Sequence, residues 1–192
     1  MAAVILALAA SFVPCVAADA AASLASQYSL ATSTSFPFPT ATLSSGDAQD
    51  LLKQGWGLAK GSIQQGGSDL SFVPDPFPSS GSSNSSSPVL QVTYPAGSFS
   101  GQTGGAQFVN LWDNSTPFES MILTYEVAFD QGFDFVKGGK LPGLRGPGTD
   151  IDDCSGGRAS NGTNCFSARL MWRKNGAGES ESILCLFLGN PC

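Results

Sequence analysis

Short apolar segments separated by glycine and proline are the main pattern along this chain. Val89–Tyr94 is an apolar run that ends at Pro95, and Met121–Phe129 alternates apolar and polar residues from Leu123 onward. Such segments have the length and the residue types of β-strands, and no strand-helix-strand periodicity joins them. The pattern predicts an all-β fold, an antiparallel sandwich of the β-jelly-roll type.

Two further elements are expected before these strands. Ser44–Asp47 can cap a short N-terminal helix over residues 48–56, because serine and aspartate satisfy free amide groups at a helix start. The segment Gly61–Phe72 contains the turn pair Gly66 and Gly67 between two short runs, which predicts a hairpin. The chain is therefore expected to be all-β apart from one short helix.

The strand expected over residues 166–173 has two chemically different faces. Side chains alternate along a strand, so one face carries Ser167, Arg169, Met171 and Arg173. The other face carries Phe166, Ala168, Leu170 and Trp172. We expect the aromatic face to be buried and the Ser/Arg face to meet solvent or a cleft.

The amino terminus predicts export. Residues 2–16 are apolar, and Val16-Ala17-Ala18 before Asp19 supplies the small residues that signal peptidase requires. A membrane anchor is the competing interpretation, but the run is short and rich in alanine. We predict a signal peptide over 1–18, an Ala/Ser/Thr-rich, poorly ordered leader over 19–42, and one domain over 43–192. The protein is then secreted and extracellular, with no membrane association after cleavage.

Composition narrows the chemistry. With 192 residues, 42% hydrophobic, the chain can bury one core, and its lack of histidine excludes Ser-His-Asp triads and His-based zinc sites. The net charge is −6, yet residues 137–174 carry a net charge of +4. A local cationic surface on an acidic protein suits an anionic ligand held at one site better than nucleic acid. The seven cationic residues of this stretch are Lys137, Lys140, Arg145, Arg158, Arg169, Arg173 and Lys174.

Cysteines and sequons fit an oxidising compartment. Cys15 would leave with the signal peptide, and Cys154 and Cys165 bracket a Gly- and Asn-rich loop that a disulfide can close. A four-thiol zinc site lacks CxxC spacing, and Asp150, Asp152 and Asp153 lack an EF-hand pattern, so we expect no metal. The glycosylation sequons are at Asn84, Asn114 and Asn161. The pairing of the two remaining cysteines, Cys185 and Cys192, stays open.

Three segments together resemble a known family. They are the strand Tyr125–Phe129, the stretch Phe135–Gly143 (FVKGGKLPG) and the stretch Ser167–Arg173 (SARLMWR). This combination resembles polysaccharide lyase family 14, the alginate and glucuronan lyases, in a fungal-type secreted form. The resemblance extends from about Phe36 to Glu179 and implies a β-jelly roll whose concave sheet binds an acidic polysaccharide.

The resemblance also implies the site. Lys140, Ser167 and Arg169 match the family's catalytic positions, with Ser167 and Arg169 binding and neutralising a uronate carboxylate and Lys140 acting beside them or in proton transfer. Lys137, Gln107 and Arg173 are weaker candidates for substrate contacts. Each of these residues also has an ordinary interpretation as a solvated strand or surface residue. Gly138, Gly139, Pro142 and Gly143 are expected to shape a turn that presents Lys140.

One feature departs from the family. A Tyr-x-Tyr pair is expected near positions 181 and 183, where this chain has Glu181 and Ile183, and the tail 180–192 is atypical. We therefore expect an incomplete jelly roll. The function expected is a secreted lyase that cleaves a polyuronate by β-elimination, without a cofactor and as a monomer. The alternatives are a noncatalytic acidic-glycan binding protein and an inactive truncated fragment.

Overall fold

A computed structural model describes residues 2–7, 16–76, 87–99, 103–111, 120–146, 154, 160–161 and 165–183. The chain forms two compact units, residues 1–133 and 134–192. Each unit contains one antiparallel sheet, and only two α-helices occur in the described parts. The all-β, antiparallel prediction is confirmed.

The first unit combines two helices with a four-stranded sheet of strand order β2-β3-β1-β4. Its elements are β1 (Ala2–Ala7), α1 (Val16–Gln27), α2 (Ser45–Gly55), β2 (Leu70–Val73), β3 (Val89–Tyr94) and β4 (Glu126–Phe129). The strand predicted over 89–94 is β3, whereas the strand predicted over 121–129 is confined to its last four residues. No helix in the described residues is both long and apolar enough to span a membrane.

The predicted short helix is α2, and it anchors the core of this unit. Ser44 occupies the N-cap, but its side chain makes no hydrogen bond to a free amide of the helix, contrary to the predicted capping. Its hydroxyl donates a hydrogen bond of 2.7 Å to the carboxylate of Asp47, which lies in the first turn at the positive end of the helix dipole. One turn apart, Ala48 and Leu52 are completely buried. The helix therefore contributes one apolar stripe. That stripe packs in a cluster with Trp56, Leu58, Leu70, Phe72 and Leu90.

The hairpin predicted over Gly61–Phe72 is wrong. The backbone around Gln65 pairs with Gln107, with reciprocal N–H···O bonds of 3.0 and 3.3 Å, and Leu58 forms a bridge with Asn110. Glycine turn chemistry indicated a local reversal, but Gly66 adopts a left-handed conformation (φ 66°) at the start of a 3₁₀ turn instead. Pairing with a distant segment has replaced the local hairpin.

The segment predicted to be a leader has structure. Its alanine-rich start is helical in α1, as expected for the residue with the highest helix propensity. Farther along, Phe36 stacks on Trp56 at 4.9 Å between ring centroids, and the Trp56 indole N–H donates to the Pro37 carbonyl at 2.8 Å. The expectation of poor order therefore does not hold there. The residues of β1 belong to the predicted signal peptide, which stays a prediction, and in this structure they pair with both β3 and β4.

The second unit is built on a three-stranded antiparallel sheet of order β5-β6-β7. Its strands are β5 (Gly138–Gly146), β6 (Phe166–Arg173) and β7 (Gly178–Ile183). A tight turn joins β6 to β7 and places Asn175 and Gly176 at φ values of 63° and 76°, conformations that asparagine and glycine tolerate. This sheet carries most of the residues that the sequence analysis selected.

Candidate functional site

The register of the second sheet assembles the candidate residues on one face. Residues directly opposite each other in an antiparallel ladder share a face, and residues two apart on a strand share it too. Lys140 lies opposite Met171, and Arg145 lies opposite Ser167. Along β6, Ser167, Arg169, Met171 and Arg173 are each two residues apart and therefore lie on one face. Lys140 and Arg145 share that face with their partners, so all four cations lie on the same side of the sheet. We call Lys140, Arg145, Ser167, Arg169 and Arg173 the cationic face.

A β-bulge makes this arrangement possible. Between Lys140 and Gly143 the ladder shifts, so that Leu141 and Pro142 on β5 correspond to Leu170 alone on β6. Lys140 and Arg145 are an odd number of positions apart, and in a regular strand they would lie on opposite faces. One extra residue reverses the alternation and returns Arg145 to the face of Lys140. Proline suits a bulge because it has no backbone N–H to contribute to the ladder.

The glycines of β5 do not form a turn. They leave space in which side chains of β6 pack. A Cβ on Gly143 would lie 2.7 Å from both Cα and Cγ of Arg169, and a Cβ on Gly139 would overlap the Trp172 indole ring. Those distances are shorter than carbon atoms can approach without displacement. The turn expected over Gly138–Gly143 is therefore wrong: the segment is strand. Arg169 and Trp172 pack against it on opposite faces.

Ser167 is held in the interior of its unit. Its side chain is only 4% exposed, and its hydroxyl donates a hydrogen bond of 3.0 Å to the Cys154 carbonyl. Cys154 is disulfide-bonded to Cys165, which confirms the predicted bridge. Because this carbonyl lies over Ser167, the disulfide-bonded segment meets the cationic face at its Ser167 end. The Ser167 hydroxyl therefore holds the Cys154 backbone in place, and its oxygen contacts only the residues packed around it.

Arg173 makes a bidentate ion pair. Its Nε and Nη2 atoms lie 2.7 and 2.6 Å from the two carboxylate oxygens of Glu179 on β7. The hydrogen bonds from Arg173 hold the pKa of the Glu179 carboxyl below its usual value, with the arginine charge acting in the same direction. Both side chains are roughly half exposed, so the pair is screened by water. Glu179 offsets the charge at this end of the cationic face.

Arg169 lies at the centre of the face. It is half-buried, with Nε and Nη2 shielded from solvent, and its Cγ passes over Gly143. A charge in a partly desolvated setting acts more strongly on a nearby anion than one in bulk water. Its β7 partner in the ladder is Glu181, and the β7 partner of Ser167 is Ile183. The two positions at which tyrosines were expected are therefore the rungs beside Arg169 and Ser167.

The burial of β6 differs from expectation. Met171 and Trp172 are 7% and 6% exposed, although they lie on opposite faces, whereas Phe166 and Leu170 are 37% and 49% exposed. The expectation of a buried aromatic face and an open Ser/Arg face is therefore wrong in part. The Cys154 carbonyl contacts the cationic face at Ser167, and the opposite face of the sheet is exposed at Phe166 and Leu170.

The remaining candidates lie elsewhere. Lys137 is exposed and immediately precedes β5, and Gln107 belongs to the first unit, where its backbone pairs with Gln65. Asn161 is exposed, whereas Asn84 and Asn114 lie outside the described residues. Within the described parts, no three His, Cys, Asp or Glu side chains are grouped as metal ligands.

Sequence reasoning included Arg145 in the charge count but not among the site residues. A turn was expected over Gly138–Gly143, so no shared strand face was predicted for Lys140 and Arg145; the structure instead has a strand, whose bulge at Leu141 and Pro142 places the two residues on one face. The three tyrosines, Tyr28, Tyr94 and Tyr125, all belong to the first unit. Burial raises the pKa of Tyr94 to about 12, with the Asp69 carboxylate adding to the effect, and burial also raises the pKa of Tyr125. Neither phenol has the lowered pKa that favours a general base.

A family model described as polysaccharide lyase 14 matches residues 82–184, more than half of the chain. The match includes β5, β6 and β7, and therefore the entire cationic face. No curated protein and no solved structure matches the chain.

Proposed function

The chain belongs to the polysaccharide lyase 14 family, and we propose that it is secreted and cleaves an acidic polyuronate, of the glucuronan or alginate type, by β-elimination. The observation that carries the proposal is the cationic face, where Lys140, Ser167 and Arg169, the residues that the family resemblance implies for the site, share one side of the sheet with two further arginines. Fixed cations suit a polymer that carries a carboxylate on every sugar.

The chemistry requires that the carboxylate be neutralised. Removal of the proton at C5 of a uronate leaves an enolate-like charge, which a positioned guanidinium stabilises. We assign this role to Arg169, because Gly143 and partial burial restrict its side chain. Ser167 has a positioning role, because its buried hydroxyl donates a hydrogen bond to the Cys154 carbonyl beside the site.

Proton transfer is assigned to Lys140. It is exposed, and its ladder partner on β6 is Met171, which is two residues from Arg169 on the same face. After giving up a proton to solvent, the Lys140 amine can accept the C5 proton while the C4–C5 double bond forms and the C4–O glycosidic bond breaks, and it can then return that proton to the leaving oxygen. One group thus closes the proton balance of the elimination.

The test is near-ultraviolet absorbance of polyglucuronate and polymannuronate solutions incubated with the full chain, since elimination creates a conjugated double bond. We expect absorbance to rise with the native chain and not with Arg169→Ala or Lys140→Ala. Lys174→Ala is the matched control, because Lys174 is an exposed cation in the β6–β7 turn outside the cationic face. A flat trace from the folded native chain would overturn the lyase proposal.

A second candidate function is noncatalytic binding of acidic glycans. Glu181 and Ile183 favour it, because they occupy the rungs beside Arg169 and Ser167 where the family resemblance implies a tyrosine pair. This function predicts salt-sensitive binding that Arg169→Ala weakens, with no unsaturated product.

A further inference from the structure

The cations of the cationic face form a regular row. Projected on β6, Arg173 is followed by Lys140 at the level of Met171, then by Arg169, and then by Arg145 at the level of Ser167. The row advances by two residues at each step and alternates between β6 and β5. With a strand rise of about 3.3–3.4 Å per residue, one cation occurs every ~6.7 Å over a total of about 20 Å.

We propose that Arg145 is a further substrate-binding residue, at one end of a row in which Lys140, Arg169 and Arg145 hold consecutive carboxylates of an extended polyanion. Arg173, at the other end of the row, is paired with Glu179. The inference rests on the proposed function in that the ligand is an acidic polyuronate, but it does not require cleavage. A single anion can occupy only one or two steps of such a row, whereas a polymer with a carboxylate on each sugar can occupy all of them.

Both ends of the row are defined. At the Arg173 end, Glu179 on β7 pairs with the guanidinium and places negative charge on the third strand. At the other end, the Cys154 carbonyl lies over Ser167, the direct neighbour of Arg145 in the ladder. The polymer is therefore expected to follow β5 and β6 and to end at the disulfide-bonded segment.

The test compares dimers and hexamers of glucuronate by calorimetric titration of the full chain at low and high salt. The native chain is expected to bind the hexamer more tightly than the dimer, and Arg145→Gln is expected to lower hexamer affinity about tenfold, the value of one charged hydrogen bond. Dimer affinity should change less than twofold, and the salt dependence of hexamer binding should fall. Lys174→Gln, outside the row, should behave as the native chain, and equal losses for dimer and hexamer in Arg145→Gln would overturn the proposal.

A second measurement uses the native chain and does not depend on the folding of a variant. An arginine-selective dicarbonyl reagent is applied with or without oligomer, and modification of each arginine is read by peptide mass spectrometry. Arg145 is expected to be protected by the hexamer and not by the dimer. Equal modification of Arg145 with hexamer and without it would overturn the proposal.

The outcome is separable from cleavage. Parallel absorbance readings report elimination, so length-dependent binding through Arg145 without a rise in absorbance would sustain the row and overturn the lyase. A rise in absorbance with no effect of Arg145→Gln on hexamer binding would overturn the row alone.

Discussion

Replacing Gly143 by alanine tests the packing that positions Arg169. The added methyl group would lie 2.7 Å from Cα and Cγ of Arg169 and would overlap the Ala168 carbonyl oxygen. Two of these three atoms are backbone, so a change of rotamer cannot relieve the contact. Strands β5 and β6 must separate locally, and Arg169 must move with β6.

The expected loss of stability follows from two opposing terms. Overpacking of this kind costs roughly 1–3 kcal/mol, and the lower chain entropy of alanine in the unfolded state returns about 0.4–1 kcal/mol. We expect Gly143→Ala to destabilise the second unit by about 1–2 kcal/mol. The same sheet offers a control in Gly178, where a Cβ meets no atom within 4 Å, so Gly178→Ala is expected to be neutral or slightly stabilising.

Amide hydrogen exchange of a peptide from β6, followed by mass spectrometry, reports this unit separately from the first. A difference of about 2 kcal/mol between the two variants corresponds to roughly 30-fold in the opening equilibrium. Affinity for polyglucuronate should fall in Gly143→Ala and not in Gly178→Ala. Equal exchange rates in the two variants would refute the assignment of Gly143 to the packing of Arg169.

Three further predictions concern the disulfide and two titrating groups. The double variant Cys154→Ala with Cys165→Ala should lower the free energy of unfolding by about 3 kcal/mol for a loop of 11 residues, measured by exchange of β6; an unchanged value would contradict it. Since the pKa of Glu179 is lowered in the folded state, its ion pair stabilises the fold above the ordinary pKa of 4.5, and that contribution is lost as pH falls through the folded pKa. The melting temperature of the native chain should therefore fall between about pH 6 and pH 3 by more than that of Glu179→Gln. Since the pKa of Tyr94 is raised to about 12, its stabilising contribution is complete below pH 10 and is lost as pH rises through 12; a phenolate absorbance step near pH 12 should be missing in Tyr94→Phe.

Local sequence signals were sufficient for several elements. The apolar run between Pro88 and Pro95 is β3, since proline bounds it on both sides, and the helix predicted after Ser44 is α2. The disulfide between Cys154 and Cys165 also followed from local spacing. In each case the determining residues are close together in the chain, so no tertiary information was needed.

Features that depend on pairing between distant segments were not predictable in this way. The backbone of Gln65 pairs with that of Gln107, and neither segment contains a sequence pattern that indicates the pairing. The Ser167 hydroxyl bonds to the carbonyl of Cys154, which lies 13 positions earlier in the chain, and no local pattern indicates that contact. The bulge before Gly143 decides which β5 side chains join the site, because one extra residue reverses every later position.

The residues of the proposed site lie on two strands of this sheet, whereas the departures from the family lie on the third. The cations belong to β5 and β6; Gly143 of β5 leaves the space in which Arg169 packs, and Arg173 forms a hydrogen-bonded ion pair with Glu179 of β7. The departures from the family, at Glu181 and Ile183, lie on β7, opposite Arg169 and Ser167. Substitution there changes the groups available for proton transfer but leaves the row of cations in place. Position 181 is opposite Arg169 in the ladder, and the family resemblance implies a tyrosine there, so Glu181→Tyr should raise the rate of elimination relative to Glu181→Phe. If Glu181→Phe raised the rate as much as Glu181→Tyr, the phenol would have no part in proton transfer and the loss of charge alone would account for the effect.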